Sequence, residues 1–465
     1  MSQRTFEEIS EDIERARTTR DGDAILRGSA MLDELDTPVA HALAERMRGI
    51  VSFYRDHHVA KALGHYRAAL GRYEELQDRI GTARVLYNIA DVCEYEGQYG
   101  DALMHYDRAM VLLLEAGDRR GVGKLRRRIG IVLMRSGRMS EAFTSFQQAL
   151  DVFQELNERD VVALICNNLG NLDKSCGRYP EALEWYHRAM GIFRDLGDDR
   201  GIALVTDNIG SVYYHTNDYD RALSYRERAL QFYEALDDKE GIAGTLSNMG
   251  NVFLMKGDDD KALSYYHQAL AITEASGSQR DIIHQKGLIL GVLVRRGRIE
   301  EAKRLLALMD TGTIQDIGNT LYLMSCRAMI QEHHGAYDDA KATLLEGLRI
   351  TQERQLPYDA CGFHEQLRDL ALKQNDLAGY VEHNTAYVRI NDEINGKETT
   401  TRLAVQEAER RIEIVRQEHE KHLTVLHSTL PKHIADRVAR GEVVNDHYDN
   451  AAVLFLDIVG FTRLS

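Results

Sequence analysis

Apolar and small residues recur along this chain at a fixed step. The segments GQYGDALMHYDRAM (97–110), GRMSEAFTSFQQAL (137–150), GRYPEALEWYHRAM (177–190), NDYDRALSYRERAL (217–230) and GDDDKALSYYHQAL (257–270) superimpose without gaps. Ala102, Ala142, Ala182, Ala222 and Ala262 stand 40 residues apart, as do Ala109, Ala149, Ala189, Ala229 and Ala269. Gly130, Gly170, Gly210 and Gly250 keep the same 40-residue step upstream. Each unit therefore predicts two amphipathic helices joined by a tight, glycine-led turn. Small residues let the helices approach closely, and larger apolar residues fill the space between them. One such pair cannot bury its own apolar face, so neighbours stack and share a continuous core. Pro180 falls just inside the second helix of its unit, where a missing N–H does no harm.

This pattern of small and Tyr/Phe positions resembles the tetratricopeptide repeat, whose usual period is about 34 residues. The 40-residue step seen here resembles the longer-helix subclass of bacterial peptide-sensing regulators and eukaryotic polarity scaffolds. The resemblance implies an all-α superhelical solenoid over residues 39–398, about nine 40-residue units, with an N-terminal helical cap or degenerate repeat at 1–38. Units starting near 79, 119, 159, 199 and 239 fit well. Those near 279, 319 and 359 are looser, although GRIEEAKRLL (297–306) and GAYDDAKATLL (335–345) keep the turn and Ala302 or Ala340.

In such a solenoid the first helices line the concave face. Asn88, Asn168, Asn208 and Asn248 share one register of those helices, with Arg128 in the unit between. Asp91, Asn171, Ser211 and Asn251 lie three residues on, on the same helical face. A primary amide both donates and accepts. A ladder of amides can therefore pair with the main chain of an extended peptide, whatever its side chains, and the resemblance implies that use. The expected partner is a protein or peptide in a groove formed by Asn88, Asn168, Asn171, Asn208, Asn248 and Asn251. The blander reading is that these residues solvate the groove or cap turns.

Composition narrows the class. Hydrophobic residues make up 44% and charged ones 28%, enough apolar side chain to fold. Only four prolines in 465 residues fit a chain that is nearly all helix. A net charge of −15 opposes nucleic acid as a partner. The five cysteines form no CxxC pair, which points to a reducing compartment. With no membrane span and no signal peptide, the expectation is a cytoplasmic, soluble protein. A basic cluster (Arg119, Arg120, Lys124, Arg126, Arg127, Arg128, Arg135, Arg138) suits either an acidic partner or an ordinary solvated helix face. It holds no phosphate loop, since Asp118 takes the place of the first glycine and Leu125 follows Lys124. The pairs His57-His58 and His333-His334 read as surface turn residues without metal-ligand spacing.

Beyond residue 398 the 40-residue signal ends. Over 399–430, Thr401, Val405, Ala408, Ile412, Val415, His419, His422 and Leu426 step by alternating fours and threes, a heptad seam. It predicts a weak parallel coiled coil, hence a homodimer, or else a single helix on the last repeat. The segment 431–465 opens with the amphipathic helix LPKHIADRVARGE and continues with a buried strand, AAVLFLD (451–457).

Leu430-Pro431, Ile434-Ala435, Arg437-Val438, Gly441-Glu442, Phe455, Asp457-Ile458, Gly460-Phe461-Thr462 and Leu464-Ser465 together resemble the start of a class III adenylate or guanylate cyclase catalytic domain, an α/β fold. The resemblance implies Asp457 and the Ile458 carbonyl as ligands of Mg²⁺ (or Mn²⁺), with the backbone N–H groups of Gly460, Phe461 and Thr462 on the triphosphate of ATP or GTP. The family's second metal-binding Asp, its base-selecting pair and its transition-state Asn/Arg pair are not reached by Ser465. The catalytic domain is thus expected to be incomplete, without bound metal, and silent by itself. The sequence reads as the sensor and dimerisation region of a soluble cyclase making cyclic AMP or cyclic GMP. The alternative is a stand-alone tetratricopeptide-repeat interaction scaffold.

Overall fold

The computed structural model describes residues 5–18, 21–56, 58–309, 317–354 and 356–395. Among them are twenty α-helices and no strand. The first pair is α1 (Phe6–Thr18) with α2 (Gly22–Glu34). Nine more pairs follow: α3 (Pro38–Tyr54) with α4 (Val59–Glu75), α5 (Arg79–Tyr95) with α6 (Tyr99–Glu115), α7 (Arg119–Arg135) with α8 (Met139–Glu155), α9 (Arg159–Ser175) with α10 (Tyr179–Leu196), α11 (Asp199–His215) with α12 (Tyr219–Ala235), α13 (Lys239–Met255) with α14 (Asp259–Ser276), α15 (Gln279–Arg295) with α16 (Ile299–Met309), α17 (Ile317–His333) with α18 (Tyr337–Glu353), and α19 (Pro357–Lys373) with α20 (Leu377–Asn395). The heptad seam of 399–430 and the cyclase-like segment 431–465 lie outside the described residues.

The helix boundaries follow from local chemistry. Asp78, Asp118, Asp198 and Asp238 each precede a first helix and accept a hydrogen bond from its N3 amide. Pro38, Pro180 and Pro357 occupy the first turn of their helices. Turns within a pair close on a left-handed residue, as at Gly97, Gly137, Gly177 and Gly257 (φ 70–79°), with Asn217 in that role after α11. From α5 to α15 the first helices begin 40 residues apart, at Arg79 through Gln279. The next two begin at Ile317 and Pro357, two residues short of the 40-residue step. This slip of register follows α16, which at 11 residues is much shorter than the 17-residue α15.

Packing explains why the small residues recur. Both alanine series are fully buried, and so are Tyr66, Tyr106, Phe146, Tyr186 and Tyr266 on the second helices. A Cβ on Gly130, Gly170 or Gly250 would lie 2.5–2.6 Å from the ring of Phe146, Tyr186 or Tyr266. Glycine gives these three units the closest approach of an aromatic ring from the second helix to the first, and Ala90 takes the same place under Tyr106. Three of the tyrosines select the residue below them, while the Tyr66 hydroxyl is buried without a hydrogen-bond partner. The Tyr186 hydroxyl donates to Asn171 Oδ1 (2.7 Å), Tyr266 to Asn251 Oδ1 (2.6 Å) and Tyr106 to Asp91 Oδ1 (2.8 Å). Where Phe146 has no hydroxyl, the matching position is Ile131. This pairing yields a test. Tyr186→Phe is expected to cost about 1 kcal/mol by leaving Asn171 without its donor, and adding Asn171→Ile is expected to recover most of that loss. Urea midpoints of the two variants would show it, and an additive double variant would contradict it.

Each helix packs on its successor, and odd-numbered helices also touch across units, as α7 with α9, α9 with α11 and α17 with α19. The odd-numbered helices thus form the inner wall. The later units return toward the earlier ones. A Cβ built at Gly97 would lie 2.7 Å from Ile317, and one at Gly137 would lie 2.9 Å from Pro357. No helix among the described residues is long and apolar enough to cross a membrane.

Candidate functional site

The inner wall is built from rungs 41 residues long. Asn208 Nδ2 donates to Asn167 Oδ1 (2.8 Å), and Asn248 Nδ2 donates to Asp207 Oδ2 (3.0 Å). Further along, Gln366 Nε2 meets Ser325 Oγ at 2.5 Å with the same spacing. The rung fails at Asn168 for a simple reason. Its partner position holds Arg127, a donor with nothing to accept. Asn168 Nδ2 is accordingly buried without a hydrogen-bond partner. Asn88 has Met47 at that position, and its Oδ1 is likewise buried and unpartnered. Buried amides normally find partners, so these two are exceptions. Asn171 and Asn251 stand apart from this group, because their carbonyls already receive Tyr186 and Tyr266.

The wall is not electrostatically uniform. Around α5 and α7, Asp91 accepts from Tyr54 (2.7 Å), Tyr106 and Arg128 (2.7 Å). Glu94 accepts from Arg128 and Arg135, both at 2.7 Å. Burial alone would pull the Arg128 guanidinium down, but Asp91, then Tyr87, Tyr106 and Glu94, outweigh it and hold it above its ordinary value. Burial and then Asp91 push both Tyr54 and Tyr106 far up, so their hydroxyls stay protonated as donors. The basic cluster dissolves into ion pairs in the same way. Arg119 pairs with Glu155, Arg120 with Glu158 and Arg138 with Glu141, while Arg126 binds Gln148. Five of the eight cluster residues are thus stapled to carboxylates, while Lys124 and Arg127 make no ion pair among the described residues.

Two units on, the composition inverts. Arg226 stands where Tyr66, Tyr106, Phe146, Tyr186 and Tyr266 place a ring, and Ser211 stands where Asn171 and Asn251 await a hydroxyl. Arg226 is only 3% exposed. Its Nη1 donates to the main-chain oxygen of Asn248 (2.5 Å), its guanidinium lies 5.3 Å from the Tyr214 ring centroid, and its Nε is 3.9 Å from Asp207 Oδ1. Burial pushes the Asp207 carboxyl up, and Arg226 and Lys174 pull it back. Burial lowers Lys174 and Arg226 as well. Desolvation, then Lys174 and Arg226, lower the His215 imidazole, although its side chain keeps exposed surface. A departure from the aromatic series at 66, 106, 146, 186 and 266 marks Arg226 in the sequence itself, but the periodicity reading passed over it.

Two cavities open between the odd-numbered helices. One, of about 290 Å³, is lined by Ser247, Asn248, Asn251 and Gln285, and the other, of about 560 Å³, by Asn319, Tyr322, Ser325 and Gln366. They share Asp281 and His284. Among the described residues no group of three or more His, Cys, Asp and Glu side chains is placed to hold a metal ion. His333 ends α17 and His334 follows it, while His58 caps α4 without a side-chain bond; His57 lies outside the described residues. Asp457, Ile458, Gly460, Phe461 and Thr462 also lie outside them.

The last pair holds a buried histidine couple, His364 Nδ1 against His383 Nδ1 at 3.2 Å. Burial depresses both; His383 and Arg389 lower His364 further while Glu382 raises it, and around His383, Lys341 lowers while Glu382 and Asp376 raise. Folded values below the ordinary 6.5 mean stability that is present above that pH and lost as pH falls through it. The melting temperature is therefore expected to drop between about pH 7.5 and about pH 5.5. A His364→Asn/His383→Asn variant should show a shallower drop in thermal circular dichroism, and an unchanged slope would contradict this account.

A tetratricopeptide-repeat family model matches residues 48–113, 122–195, 161–235 and 199–275. No curated protein matches the chain. Among solved structures, a Rap protein complexed with Competence and Sporulation Factor is 16% identical, with 83% of this chain and 98% of that one covered and a TM-score of 0.53. NprR in complex with its cognate peptide NprX is similar at 16% identity, 84% and 99% coverage and a TM-score of 0.53. The Rap conjugation gene regulator of the plasmid pLS20, in complex with the Phr* peptide, aligns at 14% identity, 74% and 97% coverage and a TM-score of 0.51. At these identities the likeness is one of fold. The chain carries tetratricopeptide repeats within 48–113 and 122–275, and its described residues form an all-helical solenoid of that kind.

Proposed function

We propose that this chain is a protein-interaction module whose inner groove holds an extended peptide segment of a partner. The observation that carries the reading is the inner-wall row of amides, which supplies both donors and acceptors, the two groups a peptide main chain satisfies. Asn208 and Asn248 spend one N–H each on rungs and keep a second. The cavities continue the same polar, mostly uncharged lining toward α19. NprR and the pLS20 regulator, similar in fold, are complexes with peptides, which supports the same use of this groove.

The test is fluorescence polarisation of the full chain against an N-terminally labelled random hexapeptide library. Saturable binding is expected, with a loss of about tenfold or more in Asn168→Ala/Asn208→Ala, equivalent to one or two main-chain hydrogen bonds. Undiminished affinity in the double variant would remove the groove reading.

A second reading rests on the string from Leu430 to Ser465. In it the solenoid is the sensor, 399–430 is a dimerising helix, and Asp457 and Ile458 bind Mg²⁺ in a class III cyclase that uses ATP or GTP. Its discriminator is nucleotide turnover by a protein extended past Ser465 that supplies a second metal-binding Asp. Absence of cyclic product with either Mg²⁺ or Mn²⁺ would leave the interaction module alone.

A further inference from the structure

The inner wall repeats its geometry every 40 residues but not its charge. Glu94 meets Arg135 41 residues on and Arg128 34 residues on, and Arg128 also reaches Asp91, so two acids balance two arginines. Two units later the same three registers hold Lys174, His215 and Asn208. The acid has become a cation, and neither position facing it supplies a counter-charge. Lys174 makes no ion pair among the described residues, while Arg226 lies buried, its Nε paired with Asp207 at 3.9 Å but without a hydrogen bond. Asp207 is the one carboxylate that acts on Lys174, and it is shared with Arg226 and Asn248. Two cations against one carboxylate leave this stretch of wall with a net positive charge inside a chain of net −15.

We propose that Lys174, backed by Arg226, forms a carboxylate-binding subsite of the groove between α9 and α13, taking an acidic side chain or the C-terminal carboxylate of the bound peptide. This inference rests on the peptide-groove reading and adds the charge of the occupant. Lys174 makes the contact, and Arg226 supplies a fixed charge beneath it that the Asn248 carbonyl and the Tyr214 ring hold in place. In so enclosed a place the attraction is stronger than at an open surface. Asp207 confines the anion to the Lys174 side by repulsion.

Three labelled hexapeptide pools test it on the full chain: one with a fixed Glu and an amidated C-terminus, one with Gln and an amidated C-terminus, and one with Gln and a free C-terminus. Wild type is expected to bind either the Glu pool or the free-acid pool about tenfold tighter than the Gln-amide pool, as a charge-assisted hydrogen bond provides. The tighter pool tells side chain from chain terminus. The preference is expected to vanish in Lys174→Gln and in Ser211→Asn/Arg226→Tyr, while the Gln-amide pool still binds each variant. The latter variant recreates the Asn–Tyr pair native to α9–α10 and α13–α14, so its fold is preserved, and its melting temperature checks this. Equal affinity for all three pools, or a preference that survives both variants, overturns the subsite and leaves the groove standing. No binding of any pool overturns the groove and the subsite together.

Discussion

Replacing Tyr186 with alanine is expected to lower the unfolding free energy by about 3–5 kcal/mol, the range for deleting a buried aromatic side chain. The ring is fully buried and seats against Gly170 at a separation no Cβ tolerates. Its removal leaves a cavity between α9 and α10 that neither helix can close without losing contact with its neighbours, and it strands the Asn171 carbonyl. Because each unit is stabilised through its neighbours, the damage should spread along the array. A urea titration should show an earlier midpoint and a broadened or split transition. A loss below about 1 kcal/mol would mean that the aromatic-on-glycine contact does not hold the pairs together.

Asp91→Ala is the second large effect, also about 3–5 kcal/mol. Asp91 is buried and takes three hydrogen bonds, from Tyr54, Tyr106 and Arg128. Its loss leaves two phenol hydroxyls without their acceptor and the partly buried Arg128 with Glu94 alone. Asp91→Asn is expected to be much milder, because an amide oxygen still accepts from a tyrosine, as Asn171 and Asn251 do. Differential scanning calorimetry of the two variants separates the terms. Equal losses would place the whole effect in the charge, and no loss in either would dismiss the cluster as a stabilising element.

Much of this architecture is legible in the sequence, and the reason is physical. A stack of identical helix pairs needs the same small residues at the same places, so Ala102 to Ala262 and Gly130 to Gly250 announce themselves. The asparagine register was legible too, but not its partners. Tyr186 lies 15 residues beyond Asn171 on the next helix, and Asn167 lies 41 residues before Asn208 on the previous unit. Such pairings depend on how helices cross, which periodicity does not specify. The basic cluster looked open because its acids are distant in sequence: Glu155 from Arg119 by 36 residues and Glu94 from Arg135 by 41. Arg226 was visible as a break in an aromatic series, yet only the packing around Gly210 shows an arginine stem standing in the site of a ring. The register shift before Ile317 went unseen because the later units keep the alanines loosely.

The central claim is that inner-wall asparagines engage a peptide main chain. Selective ¹⁵N-asparagine labelling of the full chain, with side-chain amide resonances followed as a hexapeptide selected from the library is added, addresses it directly. The account predicts that the Asn88, Asn168, Asn208 and Asn248 amides shift together and saturate with the binding curve. Saturable binding that leaves these resonances in place would contradict it.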